Sequence, residues 1–250
     1  MFDLFYPSVL LILVLVVIHA WFGKGVLERG IIFTDLAIAQ FAALGSSISL
    51  GFFEGEYLYL LTLGFALFSA FLISLASRRN LHLEAFIGML YIFGASGIMM
   101  VLANSAEGME HFKNLLASDL LFTPIEEILV GIGIYLFLAL VIWQIYPRTT
   151  GFLRELLFFS MLAITVTSSV HLAGVLVVFT LLVAPALIAT MQNKLPFMIF
   201  AALYGWSFSI VALFVSFQLD LPTGYTIVFL GAILTLVMVL LISKKVEKEE

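Results

Sequence analysis

The sequence contains no cysteine and few charged residues. Without cysteine, a disulfide, a catalytic thiolate and a cysteine-ligated metal site are all excluded. Only 11% of the 250 residues are charged and 63% are hydrophobic, whereas in an ordinary soluble domain roughly a quarter of the residues are charged. The composition therefore predicts an integral membrane protein that crosses the bilayer several times.

Basic residues are scarcer than acidic ones, and the formal net charge is −5. The basic residues form no patch, so we expect no nucleic-acid partner. The first residues, MFDLFYP, carry Asp3 and no basic side chain. This start predicts that the first apolar run stays in the protein as a membrane span and is not cleaved as a signal peptide.

Nine apolar runs are candidate membrane spans. A spanning helix needs about 20 apolar residues, because it rises about 1.5 Å per residue across a hydrocarbon core of about 30 Å. The runs fall at 7–23, 31–52, 57–77, 84–103, 125–146, 153–171, 173–191, 196–217 and 223–243. The sixth and seventh are nearly continuous, so eight spans is the alternative count. The expected fold class is an all-α, polytopic transmembrane helical bundle, with one transmembrane domain at 1–243 and a charged cytoplasmic tail at 244–250.

The basic residues are distributed unevenly between the two sides of this arrangement. With nine alternating spans, one side holds only Lys113, and the other holds Lys24, Arg29, Arg78, Arg79, Arg148, Arg154, Lys194, Lys244, Lys245 and Lys248. Loops on the cytoplasmic side carry an excess of basic residues. The distribution predicts an N-terminus outside the cell and a C-terminus in the cytoplasm.

The longest outer segment, 104–127, has apolar residues at helical spacing on one face, which predicts an amphipathic helix at the membrane surface. Pro124 is expected to begin the next span.

Five ionisable residues lie within or at the ends of the spans: His19, Asp35, Glu84, Glu155 and His171. Such groups are functional candidates, because charge is costly in lipid. The three acids also fit a structural role, since a carboxylate in the first turn complements the helix dipole. For His19 we favour a hydrogen bond to another helix. For His171, beside a possible helix break, packing and function are about equally supported.

The spacing of these residues excludes several kinds of site. A tight metal site needs three or four converging ligands, and neither HxxxH, ExxH nor HExxH occurs. His171 is at most a weak metal contact. Ser168 and Ser169 have no neighbouring base, and no other catalytic arrangement is present, so we do not expect an enzyme.

One apolar stretch, SVHLAGVLVVFTLLVAPALIA (169–189), carries residues that an ordinary membrane helix could lack. Gly174 permits a sharp change of backbone direction, and Pro185 removes a helix hydrogen bond and frees a carbonyl. Interrupted helices at membrane depth line a cavity or a moving interface. The structural alternative is a kinked packing helix.

This stretch resembles the hallmark segment of ABC-3 family permeases, the membrane subunits of zinc and manganese ABC importers. The matching positions are Gly174, Val175, Leu176, Val177, Leu181, Leu182, Val183, Pro185, Ala186 and Ala189. Further segments resemble the family in the same order: ERGIIFTDLAIAQFAALG (28–45), LEAFIGMLYIFGASG (83–97), the outer segment and DLPTGYTIV (220–228). The resemblance covers nearly the whole chain.

The resemblance implies a permease that carries a divalent metal ion by alternating access in the inner (cytoplasmic) membrane. Candidate residues of the translocation pathway are His171, Gly174, Pro185, Gln40, His19 and Asp35; candidates for coupling to the ATPase are Arg148, Arg154 and Glu155. The implied partners are a cytoplasmic ATP-binding subunit, an extracytoplasmic metal-binding protein, a second copy of the chain and membrane lipid. The chain itself would bind no cofactor, because the partner subunit uses the ATP.

Two features depart from the family pattern. Many members carry His where Gln40 stands, and an amide is a poor metal ligand. The segment YPRTTGFLRE (146–155) is shorter than the coupling helix that is usual there.

An ion-coupled secondary transporter is the main alternative function, although the intramembrane acids of such transporters usually lie at mid-depth. A membrane enzyme or assembly factor is a third.

Overall fold

In the computed structural model, residues 2–78, 82–103, 120 and 123–246 are described, and their side chains are described from residue 6 to residue 242. The described residues form nine α-helices and one short 3-10 helix. The α-helices are α1 (Phe2–Arg29), α2 (Thr34–Phe52), α3 (Leu58–Ser77), α4 (Leu83–Leu102), α5 (Ile125–Gln144), α6 (Gly151–Ala173), α7 (Val175–Thr190), α8 (Phe197–Leu219) and α9 (Thr223–Val246); the 3-10 helix is Tyr146–Arg148. The all-α fold class is confirmed.

The helix count agrees with the nine predicted runs, but among the described residues only eight helices are long and apolar enough to cross a membrane. The exception is α7, which has 16 residues and would rise about 24 Å, less than a hydrocarbon core of about 30 Å. The predicted sixth and seventh runs are separate helices, α6 and α7, joined through Gly174 alone. The alternative count of eight assumed that these two runs form one span; the described residues do contain eight span-length helices, but because α7 is short and not because α6 and α7 are fused.

One predicted boundary differs from the structure, and one predicted helix lies outside the described residues. The first helix continues to Arg29, because the polar turn beyond residue 23 stays helical and Lys24 pairs with Glu28 one turn later at 3.8 Å. Apolar periodicity detects only the lipid-facing part of such a helix. The predicted outer amphipathic helix falls almost entirely at 104–119 and 121–122, outside the described residues. The next helix, α5, does begin directly after Pro124.

The helices group into two compact units. We call the first the terminal unit; it contains α1, α7, α8, α9, the first turn of α5 and the last two residues of α6. The second, the middle unit, contains α2, α3, α4, the 3-10 helix and the remainder of α5 and α6.

Small residues allow the helices of the terminal unit to pack closely. Ala20 of α1, Ala189 of α7 and Ala201 of α8 are buried in one cluster. A Cβ added to Gly23 would lie 2.1 Å from the Leu182 carbonyl oxygen, so a larger residue at this point would push α1 and α7 apart. Where lipid replaces water, such close backbone approach contributes much of helix association.

The middle unit uses the same principle around α2. A Cβ on Gly45 would lie 2.2 Å from the Leu61 carbonyl oxygen of α3, and a Cβ on Gly94 of α4 would lie 2.9 Å from the Cβ of Gln40. Leu44, Ile98 and Leu102 form an apolar cluster beside these contacts. Helix α2 is thus held between α3 and α4, with its first turn close to the start of α4.

Candidate functional site

Asp35 is the second residue of α2 and is 1% exposed. Its carboxylate accepts hydrogen bonds from the backbone N–H groups of Asp35 and Leu36. These donors belong to the first turn of the helix, where N–H groups have no partner within the helix. The oxygen Oδ1 is buried and has no hydrogen-bond partner. The helix-start role that the sequence suggested for Asp35 explains its hydrogen bonds to the first turn of α2. It does not explain the buried oxygen Oδ1, which has no partner.

Glu84, the second residue of α4, also contacts the start of α2. Its carboxylate accepts a hydrogen bond from the backbone N–H of Phe33, the residue before α2. The oxygen Oε2 is buried without a hydrogen-bond partner. Sequence analysis placed Glu84 at a helix start but gave no sign that it reaches another helix. The structure thus brings Asp35 and Glu84 to the same end of α2.

His19 is completely buried in α1. Its Nδ1 lies 2.7 Å from the carbonyl oxygen of Leu15, one turn earlier in the same helix. This geometry assigns the proton to Nδ1, because the carbonyl can only accept. Nε2 is then an acceptor, and it has no hydrogen-bond partner. The expected bond to another helix is therefore wrong, and His19 instead presents a buried nitrogen lone pair.

The break between α6 and α7 lies at Gly174, as the sequence indicated. Gly174 has φ 85° and ψ 154°, a conformation that is essentially restricted to glycine. The carbonyl of Leu172, in the last turn of α6, accepts a hydrogen bond of 2.9 Å from the Thr123 hydroxyl. His171 is in the same turn and is exposed. The local geometry supports a fixed change of direction at this point.

Pro185 lies inside α7 and is buried. Because proline has no N–H, the carbonyl of Leu181 loses the partner it would have in a regular helix. A Cβ on Gly205 of α8 would lie 3.1 Å from the Pro185 ring, so this ring also fills space against α8. Pro185 therefore has a packing contact in addition to its effect on the α7 backbone.

Gln40 is 8% exposed, and its Cβ lies 2.9 Å from the position that a Cβ on Gly94 of α4 would take. It is five residues after Asp35 on α2, and both belong to the middle unit. His171 is also in this unit, whereas His19, Gly174 and Pro185 belong to the terminal unit. The six pathway candidates are thus divided equally between the two units, and their roles in transport remain predictions.

A buried cluster of hydroxyl groups joins α5 and α6. The Tyr135 hydroxyl lies 3.0 Å from Ser169 Oγ and 3.2 Å from Ser168 Oγ. Ser169 donates to the Thr165 carbonyl at 2.6 Å, so the Tyr135 hydroxyl donates to Ser169 Oγ. Sequence analysis considered Ser168 and Ser169 only as nucleophiles. In the structure, both serine hydroxyls hydrogen-bond to the Tyr135 hydroxyl and so connect α6 to α5.

The short connection between α5 and α6 is ordered by side-chain contacts. The Thr149 hydroxyl donates to the Tyr146 carbonyl at 2.8 Å, and the Arg154 guanidinium lies 4.9 Å from the Tyr146 ring centroid. Arg148 is exposed at the end of the 3-10 helix. Glu155 is partly buried and lies in the second turn of α6, because α6 begins at Gly151. The expected first-turn position of Glu155 is therefore wrong.

Comparison with known proteins was made on both sequence and structure. A model of the ABC 3 transport family matches residues 1–242. No curated protein sequence matches the chain. The structure of PsaBC from Streptococcus pneumoniae in complex with Fab is similar with a TM-score of 0.76 and 16% identity, over 95% of this chain and 91% of that one. An ABC transporter described as of metal-chelate type, in an inward-facing conformation, has a TM-score of 0.67 and 18% identity, over 93% of this chain and 84% of that one.

At these identities the solved structures show the shared fold, and the match of the family model to nearly the whole chain shows the family. That family consists of transport proteins and is not a class of enzymes. An ABC permease works together with an ATP-binding partner. The multi-span helical bundle is the part of such a transporter that lies in the membrane. The chain belongs to the ABC 3 transport family and is a membrane subunit of an ABC transporter.

Proposed function

We propose that this chain is the permease of an importer for divalent metal ions such as zinc, manganese or iron(II). The observation that carries the proposal is the buried, unpartnered carboxylate oxygen of Asp35 in a membrane helix. An unpaired carboxylate is costly in a protein interior and is a favourable ligand for a cation. The resemblance to zinc and manganese permeases, and the likeness to a transporter described as of metal-chelate type, point the same way.

Weak coordination suits a passage site, because the permease must release each ion that it accepts. In the described part of the chain, no three His, Asp or Glu side chains are grouped to hold a metal. A single carboxylate, a buried imidazole nitrogen and carbonyls near a helix break can each contact a partly hydrated ion. An extracytoplasmic metal-binding protein would supply the affinity that the permease lacks.

The partners follow from the same proposal. A cytoplasmic ATP-binding subunit would dock on the α5–α6 connection, where Arg148 is exposed and the Arg154 side chain is held over Tyr146. A second copy of the chain would complete the pathway in a homodimer. The protein would lie in the inner membrane. The basic residues predict an N-terminus outside and a C-terminus in the cytoplasm, and this orientation requires the short helix α7 to complete a ninth crossing.

The test is uptake of radioactive zinc, manganese or iron(II) into proteoliposomes that contain the permease and its ATP-binding subunit. Mild crosslinking in native membranes, followed by mass spectrometry, identifies that subunit and the delivering protein. We expect uptake that requires ATP and continues after an ionophore has collapsed the membrane potential. Uptake that stops with the potential while ATP remains would favour the secondary transporter. Recovery of neither partner would count against the importer.

A mutant pair gives this test its control. Asp35→Asn keeps the size of the side chain and an acceptor oxygen for the Leu36 N–H, but removes the negative charge. Glu56→Asn removes one negative charge from the exposed turn before α3. We expect Asp35→Asn to reduce uptake at least about ten-fold and Glu56→Asn to leave it unchanged. Equal uptake by both mutants would remove Asp35 from the pathway.

A further inference from the structure

His19 lies on the face of α1 that packs against α7. Val16 and Gly23 lie three residues before it and four residues after it, so all three share one side of the helix. A Cβ on Gly23 would clash with the Leu182 carbonyl oxygen and would lie 2.8 Å from the Cβ of Ala186. The His19 side chain is therefore enclosed where α1 crosses α7.

The part of α7 that lies opposite His19 contains Pro185. A Cβ on Gly205 of α8 would meet both a methyl group of Val16 and the Pro185 ring, so these two side chains are neighbours. The turn of α7 that contains Pro185 therefore lies beside the His19 face of α1. Because Pro185 has no N–H, the carbonyl of Leu181, four residues earlier, lacks its helical partner at this same crossing.

The His19 imidazole is held in the form that a metal ion requires. Its Nδ1 donates a hydrogen bond of 2.7 Å to the Leu15 carbonyl oxygen, which fixes both the orientation of the ring and its tautomer. A histidine that binds a metal usually donates its other ring N–H to a backbone carbonyl or a carboxylate in the same way. The remaining nitrogen, Nε2, is buried and has no hydrogen-bond partner. A nitrogen lone pair is thus left unsatisfied at the crossing of α1 and α7.

The polar groups of the neighbouring helices are already engaged elsewhere. Helix α7, all of whose residues are described, carries no ionisable side chain, and its Thr180 hydroxyl donates to the Leu176 carbonyl at 2.8 Å. The Trp206 indole of α8 donates to the Leu13 carbonyl of α1 at 3.1 Å. The imidazole nitrogen and the Leu181 carbonyl are therefore two acceptors without a donor, and such a pair can share a cation or a water molecule.

We propose that His19 Nε2 and the Leu181 carbonyl oxygen together contact the transported ion, and that they select a transition-metal ion, represented by zinc(II), over magnesium(II). Imidazole nitrogen is a ligand for zinc(II) and iron(II), whereas magnesium(II) prefers oxygen and gives up its waters reluctantly. The inference rests on the proposed function, because it names a residue that sets which ions the permease accepts. One nitrogen and one carbonyl, completed by water, bind weakly enough to release the ion.

Two variants remove the two ligands separately. In His19→Asn the side-chain amide can still donate to the Leu15 carbonyl, but no atom replaces Nε2. In Pro185→Ala the new backbone N–H can pair with the Leu181 carbonyl. The matched control is His82→Asn, because His82 is exposed at the N-cap of α4. Binding of radioactive zinc(II) to the full-length chain in detergent is measured by equilibrium dialysis, and X-ray absorption at the zinc edge detects a coordinated imidazole ring.

We expect the wild type and His82→Asn to bind zinc(II) alike, with an imidazole signal that excess magnesium(II) does not remove. His19→Asn should bind at least about ten-fold more weakly. Zinc(II) should raise the unfolding temperature of the wild type above its zinc-free value and should not raise that of His19→Asn. This comparison within each variant separates binding from packing, and His19→Gln, which also lacks the lone pair, replaces His19→Asn should the smaller side chain not fold.

The double variant tests whether the two ligands hold the same ion. The free-energy loss in His19→Asn/Pro185→Ala should then be smaller than the sum of the two single losses. Additive losses would remove the Leu181 carbonyl from the site. Unchanged zinc(II) binding by His19→Asn, or displacement of zinc(II) by magnesium(II), would overturn the proposal. No binding by the wild type would overturn it too, and would show that a water molecule satisfies the two acceptors.

The two proposals fail in different ways. If proteoliposomes import zinc(II) with ATP while His19→Asn binds and imports it as the wild type does, His19 is a packing residue and the importer function stands. If the purified chain binds zinc(II) through His19 but no divalent ion is imported, the proposed transport function is wrong and the site remains.

Discussion

Replacing Gly45 by alanine should destabilise the protein, because α2 and α3 are closest at this residue. The new Cβ would lie 2.2 Å from the carbonyl oxygen of Leu61 and 3.1 Å from the Cβ of Phe65. The nearest obstacle is backbone, so a change of rotamer cannot remove it. Carbon and oxygen atoms in such contacts are separated by about 3.3 Å or more, so the helices must separate by about 1 Å.

The cost can be estimated from the packing that is lost. Inserting a methyl group into a well-packed interface costs about 1–3 kcal/mol, and a gap of about 1 Å forfeits a quarter to a half of each affected dispersion contact. Gly64, less than one turn after Leu61 on α3, is the matched control, because nothing lies within 4 Å of a Cβ there. Gly64→Ala should be neutral or stabilise the helix by up to about 1 kcal/mol.

The assay is the unfolding of both purified variants, by heat and by titration with a denaturing detergent. Gly45→Ala should unfold at a lower temperature and at less denaturant than the wild type, and Gly64→Ala should not. Measuring both in one detergent removes the effect of the micelle. If the two variants unfold alike, close backbone approach does not hold α2 against α3, and the packing argument for the middle unit fails.

Three further substitutions test individual contacts. Tyr135→Phe removes the hydroxyl shared with Ser168 and Ser169, so we expect a loss of about 0.5–1.5 kcal/mol in unfolding free energy; no loss would mean that the hydroxyl cluster does not stabilise the α5–α6 contact. Pro185→Ala restores a regular helix and should impair uptake more than it lowers the unfolding temperature, whereas normal uptake by a well-folded mutant would exclude Pro185 from the pathway. His171→Ala should lower the transport rate while the complex still assembles in a pull-down, and an unchanged dependence on metal concentration would leave His171 with a packing role.

Much of the architecture was predictable from composition and local chemistry. Lipid admits only helices whose backbone groups are satisfied internally, so long apolar runs predicted nearly every helix. Gly174 was identified because a glycine beside an apolar run is the residue that tolerates its conformation, and φ 85° confirms this. The sequence separated α6 from α7 but placed the second run at 173–191, whereas α7 is Val175–Thr190 and has 16 residues. Apolar residues continue past both ends of α7, so hydropathy overestimates its length.

The sequence by itself determined the membrane location, the all-α class and the family, because each depends on composition or on residues close together in the chain. Only the tertiary structure decided which polar groups meet. Glu84 and Phe33 are far apart in sequence, as are Tyr135 and Ser169, and no periodicity encodes such pairs. Likewise, the burial that leaves one oxygen of Asp35 unpaired comes from helices packed around it, since neighbouring elements and not the residue type decide whether a carboxylate reaches water.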